Sequence, residues 1–277
     1  MSNEEIRIFL GGDVFGPVGM RCAVEKLPGF LSRENIDFCV INGENASGGT
    51  GISGEDARLL LNAGADVITG GNHSFEKREY WPVLDEMSCV LRPANYPPPI
   101  EEYGNAPPGR GSAVIEKKGI RYAVLNVQGR EDMSPLDCPF RTADTIVDRW
   151  NTEENPPVIL IDFHAESTRE KEAFALYFTR RVSAIVGTHT HVQTADERIL
   201  DGGTAYITDL GMTGPVNSVI GVDPKAAIKR NITQVLYRME LPECAGALRG
   251  VVVSVDSVSR KALSVIRVNH PNCYQNC

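Results

Sequence analysis

The pair His189 and His191 is the most chemically informative feature of the sequence. It follows an apolar run, residues 182–186, within the segment Gly-Thr-His-Thr-His that begins at Gly187. Residues two apart on an extended strand face the same side, so both imidazoles are expected to point at one position, or at two neighbouring positions. Such a pair at the end of a buried strand suits a metal ion, although two polar core residues satisfied by their neighbours would give the same pattern.

Other polar side chains in the sequence also follow short apolar runs, which are expected to be strands. Of the five histidines, only His270 lies in no motif. The apolar runs are residues 6–10, 38–41, 65–69, 158–162 and 183–186. The polar groups that follow them are Asp13, Glu44, Asn45, Asn72, His73, His164, His189 and His191. Ligands of open α/β sheets bind outside the carboxyl ends of the strands, so we expect these groups to converge on one site.

The chemical character of this set favours borderline divalent cations. Carboxylate, amide and imidazole groups suit Mn²⁺, Fe²⁺ and Zn²⁺, and the absence of cysteine disfavours structural zinc or an iron–sulfur cluster. The set is larger than one ion needs. Two ions roughly 3.5–4 Å apart, bridged by a carboxylate, would use it and would activate a water molecule for hydrolysis of a phosphate ester. We therefore expect two divalent ions, Fe²⁺ or Mn²⁺ first and Zn²⁺ as the alternative.

The elements that must position these groups predict a mixed α/β fold. Helices are expected at residues 17–31, 75–87, 142–150, 167–182 and 224–229, and between the N-cap Ser53 and Gly64. Further strands are expected at residues 90–92, 205–210, 234–240, 250–255 and 262–268, with a tight turn at 211–215. A hairpin of residues 112–116 and 120–128 breaks the alternation of strands and helices, so the sheet is expected to be mixed. We find no repeat or linker and expect one domain over residues 1–277.

The composition limits the classes of protein to which this chain can belong. The 277 residues are 42% hydrophobic and 23% charged, as in ordinary globular proteins. A net charge of -8 and a pI near 5.2 argue against a broad nucleic-acid or membrane surface. No signal peptide or membrane span is expected. The seven cysteines are an odd number without a CxxC motif, which predicts reduced thiols in a cytoplasmic protein and leaves the role of Cys273 and Cys277 open.

The order of the polar groups resembles that of the calcineurin-like metallophosphoesterases. The shared pattern is Asp, Glu-Asn, Gly-Asn-His, His and Gly-x-His-x-His, from Asp13 to His191. Two motifs depart from that family, because Phe15 replaces a histidine and Gly-Glu-Asn, ending at Asn45, replaces Gly-Asp-x-x-Asp. Together with residues 208–215, these departures are similar to the YmdB-type branch of bacterial phosphodiesterases, over roughly residues 6–268. The resemblance implies a mixed β-sheet sandwich flanked by helices in four layers, and hydrolysis of cyclic nucleotides such as 2′,3′-cyclic AMP.

The resemblance also implies a role for each group near the first ion. Asp13 and His191 would bind it, and Asn45 would take the place of the histidine that is missing at Phe15. The aromatic ring at that position has two interpretations, packing below the site or stacking on a base of the substrate.

The second ion and the proton donor follow from the same comparison. Glu44 would bridge the two ions. His73 would act as general acid or charge stabiliser, although capping of the following helix would also explain it. Asp209 is either a partner of a ligand histidine or an ordinary acid at a strand end. The remaining ligands of the second ion would be Asn72, His164 and His189.

Several alternatives stay open at this level. The substrate is expected to be a small phosphodiester or cyclic nucleotide, and a homo-oligomer is expected. A regulatory protein that binds metal or nucleotide with little turnover would explain the altered motifs. An amidohydrolase would also use His-x-His, but typically after its first strand. The small-residue loop 45–53 could cradle a phosphate or be a flexible connection.

Overall fold

The computed structural model describes residues 4–99, 106–237 and 240–270. Within these ranges the strands are β1 (Glu5–Gly11), β2 (Asp13–Val14), β3 (Phe38–Asn42), β4 (Val67–Thr69), β5 (Ser112–Lys117), β6 (Ile120–Gln128), β7 (Val158–His164), β8 (Ala184–Thr188), β9 (Arg198–Leu200), β10 (Thr204–Ile207), β11 (Met212–Pro215), β12 (Gly246–Asp256) and β13 (Ala262–His270). The helices are α1 (Gly16–Arg33), α2 (Gly54–Asn62), α3 (Trp81–Glu86), α4 (Pro139–Asn151), α5 (Thr168–Phe178) and α6 (Pro224–Thr233), and a 3₁₀ turn (Arg78–Tyr80) precedes α3.

The strands form two mixed sheets. The first has the order β2-β11-β12-β1-β3-β4, with β13 also paired to β12, and the second has the order β5-β6-β7-β8-β10-β9. Strands β1, β3 and β4 run parallel to each other, as do β6, β7, β8 and β10, whereas the remaining pairs in the second sheet are antiparallel. The predicted mixed character is therefore confirmed. The polar groups expected at the strand ends come from both sheets.

The two sheets pack face to face through apolar side chains. Ile8, Val40 and Val253 of the first sheet belong to the same buried cluster as Leu160 and Val186 of the second. Alternating side chains of a strand point to opposite faces, so each sheet also has an outer apolar face. Full burial of each such side chain contributes about 1.5–3 kcal/mol, and this inner cluster fixes one sheet against the other.

Helices cover both outer faces. Leu27 of α1 and Leu60 of α2 lie in the cluster on the first sheet, and Val147 of α4 and Phe174 of α5 lie in the cluster on the second. The layers are thus helix, sheet, sheet, helix. This confirms the predicted sandwich flanked by helices.

Local signals set several helix ends as expected. The Ser53 Oγ accepts a hydrogen bond from the Asp56 backbone N–H at 3.1 Å, so Ser53 is the N-cap of α2. Gly64, at a φ of +111°, follows the end of that helix, where glycine avoids a steric cost. Pro17 lies in the first turn of α1, where its missing N–H costs nothing.

Four predicted elements are wrong. The short strand expected at residues 90–92 is reduced to isolated bridges of Val90 with Ile68 and of Leu91 with Arg110. Residues 75–87 are helical only from Trp81, because turns and the 3₁₀ segment occupy the first half. The expected turn at 211–215 contains β11, which pairs in parallel with β2. The expected strand at 234–240 is absent over residues 234–237, which form no ladder, and residues 238–239 lie outside the described ranges.

Two further sequence features concern the cysteines and membranes. Within the described ranges Cys22, Cys39, Cys89, Cys138 and Cys244 form no disulfide, and Cys273 and Cys277 lie outside those ranges. Among the described helices, none has the length and apolar character needed to cross a bilayer.

Candidate metal centre

The seven side chains predicted to bind metal form one connected cluster between the carboxyl ends of the two sheets. Asp13 begins β2, Glu44 and Asn45 follow β3, and Asn72 follows β4. His164 ends β7, and His189 and His191 follow β8. Asp13, Glu44, Asn45 and His164 are at most 2% exposed. The structure therefore brings together groups that are up to 178 positions apart in sequence, from Asp13 to His191.

The tightest part of the cluster, which we call the inner position, surrounds the ring of His164. Its Nε2 lies 3.2 Å from Glu44 Oε1, 3.1 Å from His189 Nδ1 and 2.9 Å from Asn72 Oδ1. Ligand atoms of Glu44, His164 and His189 all lie within 4.8 Å of one another. Two imidazole nitrogens this close are compatible with one shared ion at about 2.0–2.1 Å from each.

A second group of ligand atoms, the outer position, lies beside it. Asp13 Oδ1 is buried without a hydrogen-bond partner among the described residues, while its Oδ2 accepts from the His189 backbone N–H at 3.2 Å. His191 Nε2 lies 3.3 Å from Asn45 Nδ2, which also donates to Glu44 Oε1 at 2.9 Å. Asn45 therefore presents its amide nitrogen here, and a ligand role would require the amide to turn its oxygen toward the ion.

A buried hydrogen-bond chain orients the His164 ring. Its Nδ1 donates to Thr188 Oγ1 at 2.9 Å, and that hydroxyl donates to Asp162 Oδ1 at 2.7 Å. The other oxygen of Asp162 accepts from Asn42 Nδ2 at 2.9 Å and from the Thr69 hydroxyl. Because Nδ1 is committed to this chain, Nε2 is the atom that faces the inner position. Such partners of a ligand histidine fix its tautomer and raise its basicity.

The other two candidate ligand histidines are also oriented by contacts with the protein. His189 Nε2 lies 3.1 Å from Glu166 Oε2, which leaves Nδ1 toward the inner position. His191 Nδ1 donates to the Ile220 carbonyl oxygen at 2.9 Å, which leaves Nε2 toward the outer position. Each imidazole therefore offers one nitrogen to the cluster and binds the protein through the other.

The backbone at His189 and His191 differs from the extended strand that the sequence predicts. Strand β8 ends at Thr188, and the two histidines have φ values of +100° and +65°. The extended backbone predicted for these two residues is therefore wrong, because both histidines lie in a turn. Their rings point to two neighbouring positions, which is one of the two arrangements expected from sequence. Non-glycine residues at positive φ cost about 1–3 kcal/mol and persist where the surroundings enforce them.

A buried ion pair enforces this turn. Lys171 Nζ, from α5, donates to Asp209 Oδ2 at 2.8 Å and to the Thr188 carbonyl at 2.9 Å. Asp209 Oδ2 in turn accepts from the Thr190 backbone N–H at 3.1 Å. Asp209 thus contacts the backbone between the two histidines, and neither interpretation of this residue from sequence describes that role. Lys171 carries no sequence signal for it, because the pair joins residues 38 positions apart.

The electrostatics of the cluster favour a cation at the inner position. Burial alone would lower the pKa of His164, but the charges of Glu44 and Asp13 outweigh it and raise the pKa to about 9. Burial would raise the pKa of Glu44, yet His164 holds it at about 2. Burial and the neighbouring His164 lower the pKa of His189 to about 3, so that ring is neutral. Burial raises the pKa of Asp13 to about 6.

These residues fit divalent metal ions on three counts. The buried Asp13 Oδ1 has no described partner, so a cation would satisfy it. A Cβ added at Gly71 would lie 2.2 Å from Glu44 Oε2 and 2.4 Å from His164 Nε2, so only glycine leaves the inner position open. Imidazole, carboxylate and amide groups are donors that suit borderline cations.

His73 lies at the mouth of the cluster, outside its metal-facing interior. Its backbone N–H donates to Glu44 Oε2 at 3.1 Å, and its half-exposed ring contacts Glu76 through Nδ1. The ring lines a cleft of about 830 Å³ together with Asn45 and His191. Sequence reasoning missed Glu76, although its position three residues after His73 was an available signal.

Phe15 packs beside the outer position. Its ring is 7% exposed and meets the His191 ring edge to face, with centroids 5.2 Å apart. A Cβ at Gly221 would lie 2.6 Å from the Phe15 ring, so glycine is needed for this close packing. The structure thus supports packing under the site, with one edge of the ring on the cleft. The cleft is also lined by Gly48, Gly49 and Thr50 of the small-residue loop.

Comparison with known proteins identifies the family of the chain. The sequence model of the YmdB-like protein family matches residues 9–268. The chain is 42% identical over 263 residues to the 2′,3′-cyclic-nucleotide 2′-phosphodiesterase of Bacillus subtilis (strain 168), covering 95% of this chain and 96% of that protein.

Solved structures match the fold over nearly its whole length. A novel phosphatase from Mycoplasma pneumoniae superposes with a TM-score of 0.87 at 32% identity, covering 98% of this chain and 96% of the other. A hypothetical protein from Thermus thermophilus superposes with a TM-score of 0.84 at 34% identity, covering 96% and 99%. The resemblance seen in the sequence is therefore confirmed, and the chain belongs to the YmdB-like protein family.

Proposed function

We propose that this chain is a metal-dependent phosphodiesterase that hydrolyses small phosphodiesters, in particular cyclic nucleotides such as 2′,3′-cyclic AMP. The single observation that carries the proposal is the convergence of seven carboxylate, amide and imidazole groups beside an open cleft. The relative of 42% identity is a cyclic-nucleotide phosphodiesterase by name. An amidohydrolase is disfavoured by this family membership.

Each ion has a distinct set of candidate ligands. His164, His189 and Asn72 would hold one at the inner position, and Asp13 and His191 would hold the other at the outer position, with Asn45 after its amide turns. Glu44 lies between the two groups and would bridge them. When bound, a pair of divalent ions, Fe²⁺ or Mn²⁺ in our proposal, supplies the Lewis acidity that lowers the pKa of water and neutralises phosphate charge.

The protein's own residues supply orientation and proton transfer. The hydrogen bonds of Thr188 and the Ile220 carbonyl, and the contact of Glu166 with His189, hold three imidazoles in fixed orientations, so little reorganisation is needed when charge develops. His73 lines the cleft, and the Glu76 carboxylate orients its ring through Nδ1. We propose that the His73 ring gives a proton to the oxygen that leaves the phosphorus.

The cleft has the size and lining expected for a nucleotide. Its volume of about 830 Å³ lies within the range of roughly 300–1,000 Å³ of small-molecule sites. Leu236 and Leu241 supply an apolar wall, and Arg230 and Asn231 of α6 supply polar groups on the same side. A phosphate at the metal centre would therefore place a base against this wall.

A regulatory protein with little turnover is the alternative. Phe15 stands where related phosphoesterases have a histidine, so the outer position has one imidazole, His191, rather than two. Tight nucleotide binding without hydrolysis under Mn²⁺ or Fe²⁺ would favour this alternative.

The proposal is tested by the variant Glu44→Gln with Glu55→Gln, an exposed position on α2, as matched control. We expect Glu44→Gln to lose hydrolysis of bis-p-nitrophenyl phosphate and 2′,3′-cyclic AMP while its circular dichroism spectrum is unchanged. The control should retain wild-type turnover. Wild-type rates in Glu44→Gln would contradict the proposed centre.

A further inference from the structure

A second, smaller pocket lies on the other side of His191 from the cleft. It has a volume of about 350 Å³, and we call it the rear pocket. Its polar lining includes Arg249, Arg267 and Asn269, whereas His191 and Ile220 line both this pocket and the cleft. These two shared residues, joined by the hydrogen bond from His191 Nδ1 to the Ile220 carbonyl, therefore form the ridge between the two spaces.

The strand register explains why two arginines meet there. Arg249 of β12 lies opposite Asn269 of β13, and Val251 lies opposite Arg267. Residues two apart share a face of the sheet, so these polar residues are on the same face as Val251, which is fully buried between the sheets. At this end of the sandwich the inward face therefore changes from valine to arginine.

The charge of the rear pocket is not balanced by the described residues. Arg267 Nε pairs with Glu197 Oε1 at 2.7 Å. Arg249 makes one described side-chain hydrogen bond, from Nη1 to the Met212 carbonyl at 3.4 Å, and has no described carboxylate within ion-pair distance. Burial lowers the pKa of Arg249, which reflects the cost of placing a charge there without a partner. This unbalanced guanidinium stands out in a chain of net charge -8.

We propose that the rear pocket binds a second phosphate group, adjacent to the one at the metal centre, through Arg249. A guanidinium binds phosphate oxygens through two parallel hydrogen bonds. Since only the ridge of His191 and Ile220 separates the spaces, the second phosphate belongs to a neighbouring nucleotide of the same ligand. The preferred substrate class is then a short oligoribonucleotide with a terminal cyclic phosphate. The inference about the substrate rests on the proposed function, which supplies the cleavage step. The anion site in the rear pocket does not depend on that function.

The first test compares substrates with one and two phosphates. The ratio of kcat/KM for a dinucleotide ending in a 2′,3′-cyclic phosphate to that for 2′,3′-cyclic AMP is measured in wild type and Arg249→Gln. We expect the ratio to fall by about tenfold to a hundredfold, the loss of a charged hydrogen bond. Arg249→Lys should keep part of the preference, and Arg141→Gln, exposed on α4, should keep all of it. An unchanged ratio in Arg249→Gln contradicts the oligonucleotide source.

The second test needs no turnover and separates failure of the site from failure of the proposed function. Inorganic phosphate is titrated into wild type, Arg249→Gln and Arg141→Gln, and the thermal midpoint is followed. We expect phosphate to raise the midpoint of Arg249→Gln less than that of the other two. If phosphate stabilises Arg249→Gln less than the other two proteins but the ratio of kcat/KM is unchanged, the ligand of the rear pocket is a free anion. Equal responses of all three proteins, together with an unchanged ratio, overturn the site.

Discussion

Removal of the buried lysine is the sharpest structural perturbation that the fold offers. Lys171 and Asp209 are each 1% exposed in their side chains, so Lys171→Met leaves a buried carboxylate without its countercharge. Breaking a buried pair on one side costs about 3–5 kcal/mol. The backbone N–H groups of Thr190 and Gly211 still donate to Asp209, so we expect the lower value, about 3 kcal/mol. For a domain of this size that corresponds to a loss of roughly 6–12 °C in thermal midpoint.

The same variant should also weaken metal binding. The pair anchors the turn that carries His189 and His191, and loss of such a support lowers metal affinity by about 10–100-fold. Thermal unfolding and a Mn²⁺ titration measure the two effects. The exposed Lys118→Met, which removes an ion pair with Asp37, serves as control and should behave as wild type. The double variant Lys171→Met/Asp209→Asn should recover part of the stability. Wild-type stability and affinity in Lys171→Met would refute the role of the pair.

Three further predictions concern the site itself. Asp13→Asn should stabilise the metal-free protein at pH 7. The pKa of Asp13 is about 6 in the folded protein and 3.8 ordinarily, so ionisation of this carboxyl lowers the free energy of unfolding above pH 6. The stabilisation by Asp13→Asn should therefore vanish as the pH falls from about 6 to about 4. His73→Asn should lower kcat for 2′,3′-cyclic AMP by about 10²–10⁴-fold but affect bis-p-nitrophenyl phosphate less, because p-nitrophenolate leaves without a proton. Phe15→Ala should cost about 3–5 kcal/mol in a denaturant titration and loosen His191. An unchanged rate ratio of the two substrates in His73→Asn would exclude proton donation.

The convergence of the candidate ligands was predictable because each of them follows a short apolar strand. That local pattern identifies Asp13, Glu44 and His164 as strand-end groups, and the parallel pairing of β1, β3 and β4 brings their loops to one edge. The mixed α/β class also follows from sequence, because apolar runs too short for buried helices alternate with amphipathic helices. The four-layer arrangement was implied only by the resemblance to the metallophosphoesterase family.

The supports of the ligands were not predictable in the same way. Asn42 and Asp162 are 120 positions apart, and their hydrogen bond exists only because the two sheets face each other. Lys171 lies in an amphipathic helix where a lysine is expected to be solvated, and only the tertiary packing buries it. Such contacts have no periodic signature in one sequence.

The wrongly predicted strand and turn have similar causes. The alternation of apolar and polar residues at 234–240 indicates a strand, yet Val235 and Leu236 are 52% and 80% exposed and have no neighbouring strand in the described part of the chain. Leu236 lines the cleft instead. The apolar residues of this alternating pattern therefore face a cleft rather than a sheet. The turn expected after Gly211 is replaced by β11, because the short β2 provides a parallel partner. No local sequence pattern predicts that pairing.

The metal content of the site is the most direct test of the central claim. Crystals grown from protein purified without chelator should be measured at the iron, manganese and zinc edges by anomalous scattering. We predict two anomalous peaks: one among His164, His189 and Asn72, and one beside Asp13 and His191, with Glu44 between them. The absence of metal at both positions in active protein, or ions bound only elsewhere, would contradict the account.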